Sequence, residues 1–189
     1  PESPDVLSYL YRMNFFEIAR TFFLFETPAP PKAGLRGAAS DVLLEITPIA
    51  QARDIHTIVG RVRERAGAIL AKHLHYDDRR RDQFLVALSE VCQNIVEHSE
   101  DRGYVAIQRY FYKERLGKNV VKIAVTDLGI GVRASLGQRL AGRFGATWSD
   151  ATAIRQALFH AQSRFDDIGR GHGLRAVRDL TQQWGGRLV

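Results

Sequence analysis

Two short β-rich runs, about 104–112 and 119–126, are joined through Glu114-Arg115-Leu116-Gly117-Lys118. So tight a connection has no room for a crossover helix, and the runs must pair antiparallel as a hairpin. No other feature limits the fold as much, because this hairpin breaks the strand–helix–strand alternation of a doubly wound parallel sheet. Val42 to Ile46 reads as a further strand of β-branched residues and leucine. A helix is expected over 50–74, with Ile55, Ile58, Val59, Val62, Ala66, Ile69 and Leu70 on one face. A second, which Asp77-Asp78 can cap, runs to about Ser99 behind the stripe Phe84, Leu88, Val91, Cys92, Ile95.

After the hairpin, residues 132–168 are polar, glycine-punctuated and arginine-rich, with one helix expected near 150–162, capped by Ser149 or Asp150. A last helix, 172–184, carries Leu174, Val177, Leu180 and Trp184 at helical spacing. Gly185-Gly186 ends it, and Arg187-Leu188-Val189 reads as the start of a strand. Helices and antiparallel strands in this order predict an α+β fold. The expected form is a two-layer sandwich: a mixed, largely antiparallel sheet covered on one face by helices.

The chain of 189 residues fits one domain with an appendage, and the division is expected near residue 40. Residues 1–40 comprise an aromatic-rich helical segment and the linker ETPAPPKAGLRGAAS; residues 41–189 form the main domain. The aromatics of 5–25 spill beyond one helical face, so their rings need burial. Packing on the chain's own domain is the first expectation; a second copy or a neighbouring domain is the other. The start at Pro1 without a methionine suggests a piece of something longer.

The net charge of +6 could suggest nucleic acid, but Arg79-Arg80-Arg81 is bracketed by Asp77, Asp78 and Asp82. No basic–aromatic interleaving accompanies it, so a solvated surface is the better reading. No apolar run reaches the ~20 residues that span a membrane, and no signal-peptide pattern opens the chain. The single cysteine, Cys92, excludes an internal disulfide, is expected in the core, and fits a cytoplasmic location.

Three stretches carry chemistry. Glu90 and Asn94, four apart, stack on one helix face beside the apolar stripe. An amide oxygen suits Mg²⁺, and a carboxylate one turn away can orient or deprotonate a nucleophile. In Asp127-Leu-Gly129-Ile-Gly131, a carboxylate closes a strand, where it can accept from an exocyclic amine such as adenine's. A rival reading takes Gly129-x-Gly131-x-x-Ala134 as a dinucleotide fingerprint, which needs a βαβ unit and an acidic strand end ~20 residues on. Asp150 has the distance, but RFGATWS before it does not form a strand. The third stretch, Gly169-Arg170-Gly171-His172-Gly173-Leu174, opens the last helix, where free N–H groups make a phosphate seat. It lacks the Gly-Lys-Ser/Thr ending of a P-loop.

In this order the three stretches resemble those of the GHKL ATPase superfamily, the Bergerat fold of gyrase, heat-shock chaperones, mismatch-repair ATPases and histidine kinases. Glu90-x-x-x-Asn94 looks like its N box, Asp127-x-Gly129-x-Gly131 its first glycine box and Gly169-x-Gly171-x-Gly173 its second. The chain is most similar to the serine-kinase anti-sigma factors, and no His-Glu/Asp-x-x-Pro phosphoacceptor helix precedes the domain. The resemblance implies ATP and Mg²⁺ as cofactors, Glu90 as general base, Asn94 as the Mg²⁺ ligand and Asp127 on the adenine amine. Residues 132–168 would form a lid, and 169–174 would hold phosphates. The family's final strands, with a Gly-Thr pair, would lie beyond Val189. The implied function is ATP hydrolysis or phosphorylation of a protein serine or threonine, with a regulatory protein as partner. The alternative is a non-catalytic nucleotide-sensing module whose lid ATP orders.

Overall fold

The computed structural model describes residues 4–26, 42–112, 117–164 and 172–189. Its sheet is β1 (Val42–Ile49), β2 (Gly103–Tyr112) and β3 (Lys118–Asp127), antiparallel in the order β1-β2-β3. The pairing of β2 with β3 runs without a slip from Gly103↔Asp127 to Tyr112↔Lys118. The hairpin expected from the sequence is therefore present, although residues 113–116 of its turn lie outside the described residues.

Alternation along β2 and β3 sorts the sheet's two faces. Val105 and Ile107 point into a core where Leu43, Leu44 and Ile49 of β1 are fully buried. That core is filled by α3 (Ala52–Leu74), through Ile58, Val62 and Leu70, and by α4 (Asp78–Asn94), through Phe84, Leu88 and Cys92. β1 shifts register between Val42 and Leu44 and again before Thr47, which lets the consecutive residues Leu43 and Leu44 both be buried. The strand also runs one residue past a proline, Pro48, to Ile49. An edge strand tolerates the missing N–H, which explains why β1 outlasts its expected end at Ile46.

Both helix entries rest on the side chains foreseen for them. Asp77 accepts from the Arg80 N–H at 2.8 Å at the start of α4, and Ser149 accepts from the Thr152 N–H at 3.2 Å at the start of α6 (Asp150–Phe159). A π-helical turn, Ile95–Ser99, follows α4 directly. The last helix, α7 (His172–Gln183), lies against α4, and Trp184 beyond it stacks near Tyr76 at 5.8 Å between ring centroids. α3 and α4 cover the sheet, α7 packs on α4, and α5 (Gly131–Phe144) and α6 form a satellite core of Leu136, Leu140 and Ala157.

Three expectations change. Residues 132–164 hold two helices rather than one, because α5 was hidden by glycines at 137 and 142 and by a stripe containing Ser135 and Arg139. Arg187-Leu188-Val189 is not a strand. The aromatic segment is not one helix: Asn14 adopts a left-handed φ of 59° and splits α1 (Pro4–Arg12) from α2 (Phe15–Ala19). That segment meets the sheet on the side away from α3 and α4. The Tyr9 hydroxyl lies 3.4 Å from that of Tyr110, Phe22 sits edge-on to Tyr104, and Ile46 in the bulged part of β1 donates to the Met13 carbonyl at 3.1 Å. Met13, Phe16 and Ala19 are buried there, while Phe23 and Leu24 stay exposed.

Cys92 lies fully buried among these apolar side chains, and burial pushes its thiol up to about 12. A thiol that remains protonated at neutral pH is a poor nucleophile. The native protein is therefore expected to leave an aromatic disulfide reagent unreacted at pH 8 and to react fully once unfolded in guanidinium. Reaction of the folded chain at the rate of free cysteine would contradict this burial.

Candidate functional site

Asn94 closes α4 with its side-chain amide tied down: Nδ2 donates to the Glu90 carbonyl at 2.9 Å. That bond turns Oδ1 away from the helix backbone, and Oδ1 accepts no hydrogen bond. One turn earlier the Glu90 side chain leaves the same helix face, half-buried. The π-helical turn that follows adds Glu97, which accepts from Gln93 Nε2 at 2.6 Å, and His98, whose Nε2 is 3.9 Å from Glu97. Turns of this kind recur inside helices at functional sites.

The turn ends at Ser99, and the loop after β3 is fastened there. The Ser99 carbonyl accepts from the Ile130 N–H at 3.0 Å, and Leu128 donates to the Arg102 carbonyl at 3.1 Å. Gly129 lies so close that a Cβ on it would stand 2.0 Å from the Ser99 oxygen. Only glycine fits. Asp127 closes β3 opposite Gly103, and its Oδ1 accepts from the Gly129 N–H at 2.9 Å. The second carboxylate oxygen is thereby aimed by a fixed turn. Gly131, with φ of 73°, opens α5.

Across from α4 stands the first turn of α7. A Cβ on Gly173 would lie 2.2 Å from Glu90 Oε2, so the glutamate carboxylate rests against this helix start. The three sequence stretches thus meet around one cavity of about 500 Å³. α4 supplies Glu90 and Asn94; the end of β3 and the start of α5 supply Asp127 and Gly131; α7 supplies His172, Gly173 and Leu174. Val125, Val132 and Leu136 give the wall beside Asp127 an apolar surface. Gly129 is absent from the lining, its part being the close approach to Ser99. Gly169, Arg170 and Gly171 lie outside the described residues.

The cavity's charge is one-sided. Glu90, Glu97 and Asp127 line it, and among the described residues no lysine or arginine does. An anionic ligand there needs a cation or the N–H groups of α7. Among the described residues no group of three or more His, Cys, Asp or Glu could hold a metal by itself. The donor set instead fits Mg²⁺, which keeps most of its waters and takes one or two protein oxygens beside phosphates. Asn94 Oδ1 is such an oxygen.

Glu97, His98 and Ser135 were not foreseen. Extending the Glu90–Asn94 face by one turn would have found the first two, whereas Ser135 needed α5 to be recognised as a helix. The dinucleotide reading fails on topology, since the sheet is wholly antiparallel among the described residues and no parallel strand follows α5. A larger open groove, about 830 Å³, runs between α4 and α7 past Arg79, Asp82, Val86 and Asp179. It contains none of the candidate site residues read from the sequence. No described helix is long and apolar enough to cross a membrane.

Comparison with known proteins gives no match among curated proteins and none among solved structures. A family model described as histidine kinase-, DNA gyrase B- and HSP90-like ATPase matches residues 80–189, from the first turn of α4 through α7. That span is more than half of the chain and holds every element around the cavity. The chain belongs to the family of histidine kinase-, DNA gyrase B- and HSP90-like ATPases, with their ATP-binding α+β fold.

Proposed function

We propose that the cavity binds ATP with Mg²⁺ and that Glu90 acts as general base for transfer of the terminal phosphoryl group, to water or to a protein serine or threonine. The observation that carries this reading is the meeting of Glu90 and Asn94 with Asp127 on one side and Gly173 on the other, around a single cavity. In this reading Asp127 accepts from the adenine amine while its other oxygen stays on the Gly129 N–H. The first turn of α7 presents backbone N–H groups to the phosphates. Asn94 Oδ1 would hold Mg²⁺, which supplies neutralisation of phosphate charge when bound. Phosphoryl transfer asks a protein chiefly for positioning and charge stabilisation, and Glu90, resting on the helix start, stands at the phosphate end.

The setting we propose is a cytoplasmic regulatory domain acting on a protein partner, in the manner of anti-sigma-factor kinases. A second reading, a nucleotide-sensing module without turnover, draws support from the ties of the 160–164 segment. Arg164 pairs with Glu100 at 2.7 Å and Arg139 donates to the Ser163 carbonyl at 2.8 Å, so this segment is coupled to the residue that closes the π-helical turn and to α5. The two readings share the base site. That site is tested by titrating Mg-ATP and Mg-GTP into the protein and into Asp127→Asn. Hydrogen bonds to a charged acceptor support an expected preference for ATP of roughly 10- to 100-fold, mostly lost in Asp127→Asn. Equal affinity for the two nucleotides would remove Asp127 from base recognition.

A further inference from the structure

The cavity contains a polar group for which the chemistry above has no use. Ser135 stands one helical turn after Gly131 on α5, 9% exposed, between the lining residues Val132 and Leu136. It lines the same cavity as Asp127. A serine or threonine within a helix commonly turns its hydroxyl onto the carbonyl four residues earlier. Ser99 does so to Ile95 at 2.7 Å, and Thr181 to Val177 at 2.7 Å. Ser135 does not, and it makes no hydrogen bond at all. Its hydroxyl opens to the cavity and is not sealed in the core, and the neighbouring inward positions of α5, Leu136 and Leu140, are apolar. An alanine would pack there at lower cost and with better helix propensity. The hydroxyl is explained if a ligand in the cavity completes its bonding.

We propose that Ser135 is a base-contacting residue: its hydroxyl donates to a ring nitrogen flanking the amine that Asp127 accepts from. This rests on the nucleotide reading given above. In adenine the amine is flanked by N1 and N7, both bare acceptors. A carboxylate and a hydroxyl lining one cavity therefore offer the acceptor and donor that this edge of the base requires. A base that carries a hydrogen on N1 and a carbonyl in place of the amine presents the reverse pattern to Asp127 and at N1. Its N7 stays an acceptor, so the hydroxyl adds to selection through N1 and to affinity alone through N7. Val125, Val132 and Leu136 leave the ring's faces in apolar surroundings, where an unmatched polar group is penalised most.

The test compares the full chain with Ser135→Ala by calorimetric titration of Mg-ADP, Mg-1-deaza-ADP and Mg-7-deaza-ADP, the two analogues lacking N1 and N7 respectively. Thermal melts accompany it, and Ser135→Ala should melt no lower than the parent, since it loses no internal bond. The expected result is roughly 5- to 10-fold weaker binding of ADP by Ser135→Ala. With one of the two deaza analogues that difference should vanish, identifying the nitrogen. Two results would overturn the proposal: ADP bound equally by both proteins, or a loss of the same size for ADP and both analogues, which would mark a structural effect. If the parent chain binds no ADP at all, the nucleotide reading and this inference fall together. If it binds ADP and only the cycle is flat, this inference alone fails.

Discussion

Glu90→Gln should lower ATP turnover, or phosphoryl transfer to the partner, by roughly 10²- to 10⁴-fold, the range that general-base catalysis supplies. The substitution keeps the side chain's shape and removes its negative charge together with its ability to take a proton. Glu90 is half-buried at the cavity rather than in the core, so the fold should be unaffected. Mg-ATP affinity should change little, because the base acts on the nucleophile and the nucleotide is held by Asp127, the helix start and the metal. Loss of turnover with retained binding is the signature to look for in a steady-state ADP-release assay paired with calorimetry. Gly173→Ala should act in the same direction, since its Cβ would occupy the place of Glu90 Oε2 and push the carboxylate aside. Turnover unchanged in Glu90→Gln would eliminate the general-base role. A partner whose affinity depends on ATP equally in both proteins would then favour the sensing module.

The second large effect concerns stability. In Gly129→Ala the new methyl group would stand 2.0 Å from the Ser99 carbonyl oxygen, a backbone atom that cannot move alone. Relief requires the loop to lift, which breaks the 3.0 Å bond from Ile130 to that same carbonyl. Overpacking of about 1–3 kcal/mol and a hydrogen bond worth about 1 kcal/mol give roughly 2–4 kcal/mol of destabilisation. For a chain of this length that corresponds to a drop in Tm of roughly 5–15 °C. Gly137→Ala makes the contrast: it lies inside α5, and its Cβ would meet nothing nearer than Trp148 Nε1 at 3.6 Å. There the same substitution should stabilise by roughly 0.5–1 kcal/mol through helix propensity. Thermal melts of the two variants check both signs. A Gly129→Ala protein melting with the parent would refute the close approach of this loop to Ser99.

How much of this was legible depends on how each element announces itself. α3 and α4 have long apolar stripes and real capping residues, so spacing alone located them. The hairpin followed from the shortness of its connection. α5 escaped because its inward face is not uniformly apolar: Ser135 takes a position where an apolar residue would have completed the stripe, and glycines interrupt the rest. The split at Asn14 is a single left-handed residue in an otherwise periodic segment, invisible to periodicity. At the site, Glu90, Asn94 and Asp127 were found by residue type and spacing. The contact of Gly173 with Glu90 joins residues 83 positions apart in the chain, and no local pattern encodes it. The glycine stretches were read as ligand-facing throughout, yet Gly129 serves a backbone contact instead.

The central claim is that the cavity between α4, α5 and α7 is the nucleotide site, and amide chemical-shift mapping with Mg-ADP on the isotopically labelled chain tests it most directly. Saturable shifts are expected, confined to Glu90–His98, Asp127–Leu136 and His172–Leu174, with Arg79, Asp82 and Asp179 in the wider groove unaffected. Shifts centred on that groove, or none at millimolar Mg-ADP, would contradict it.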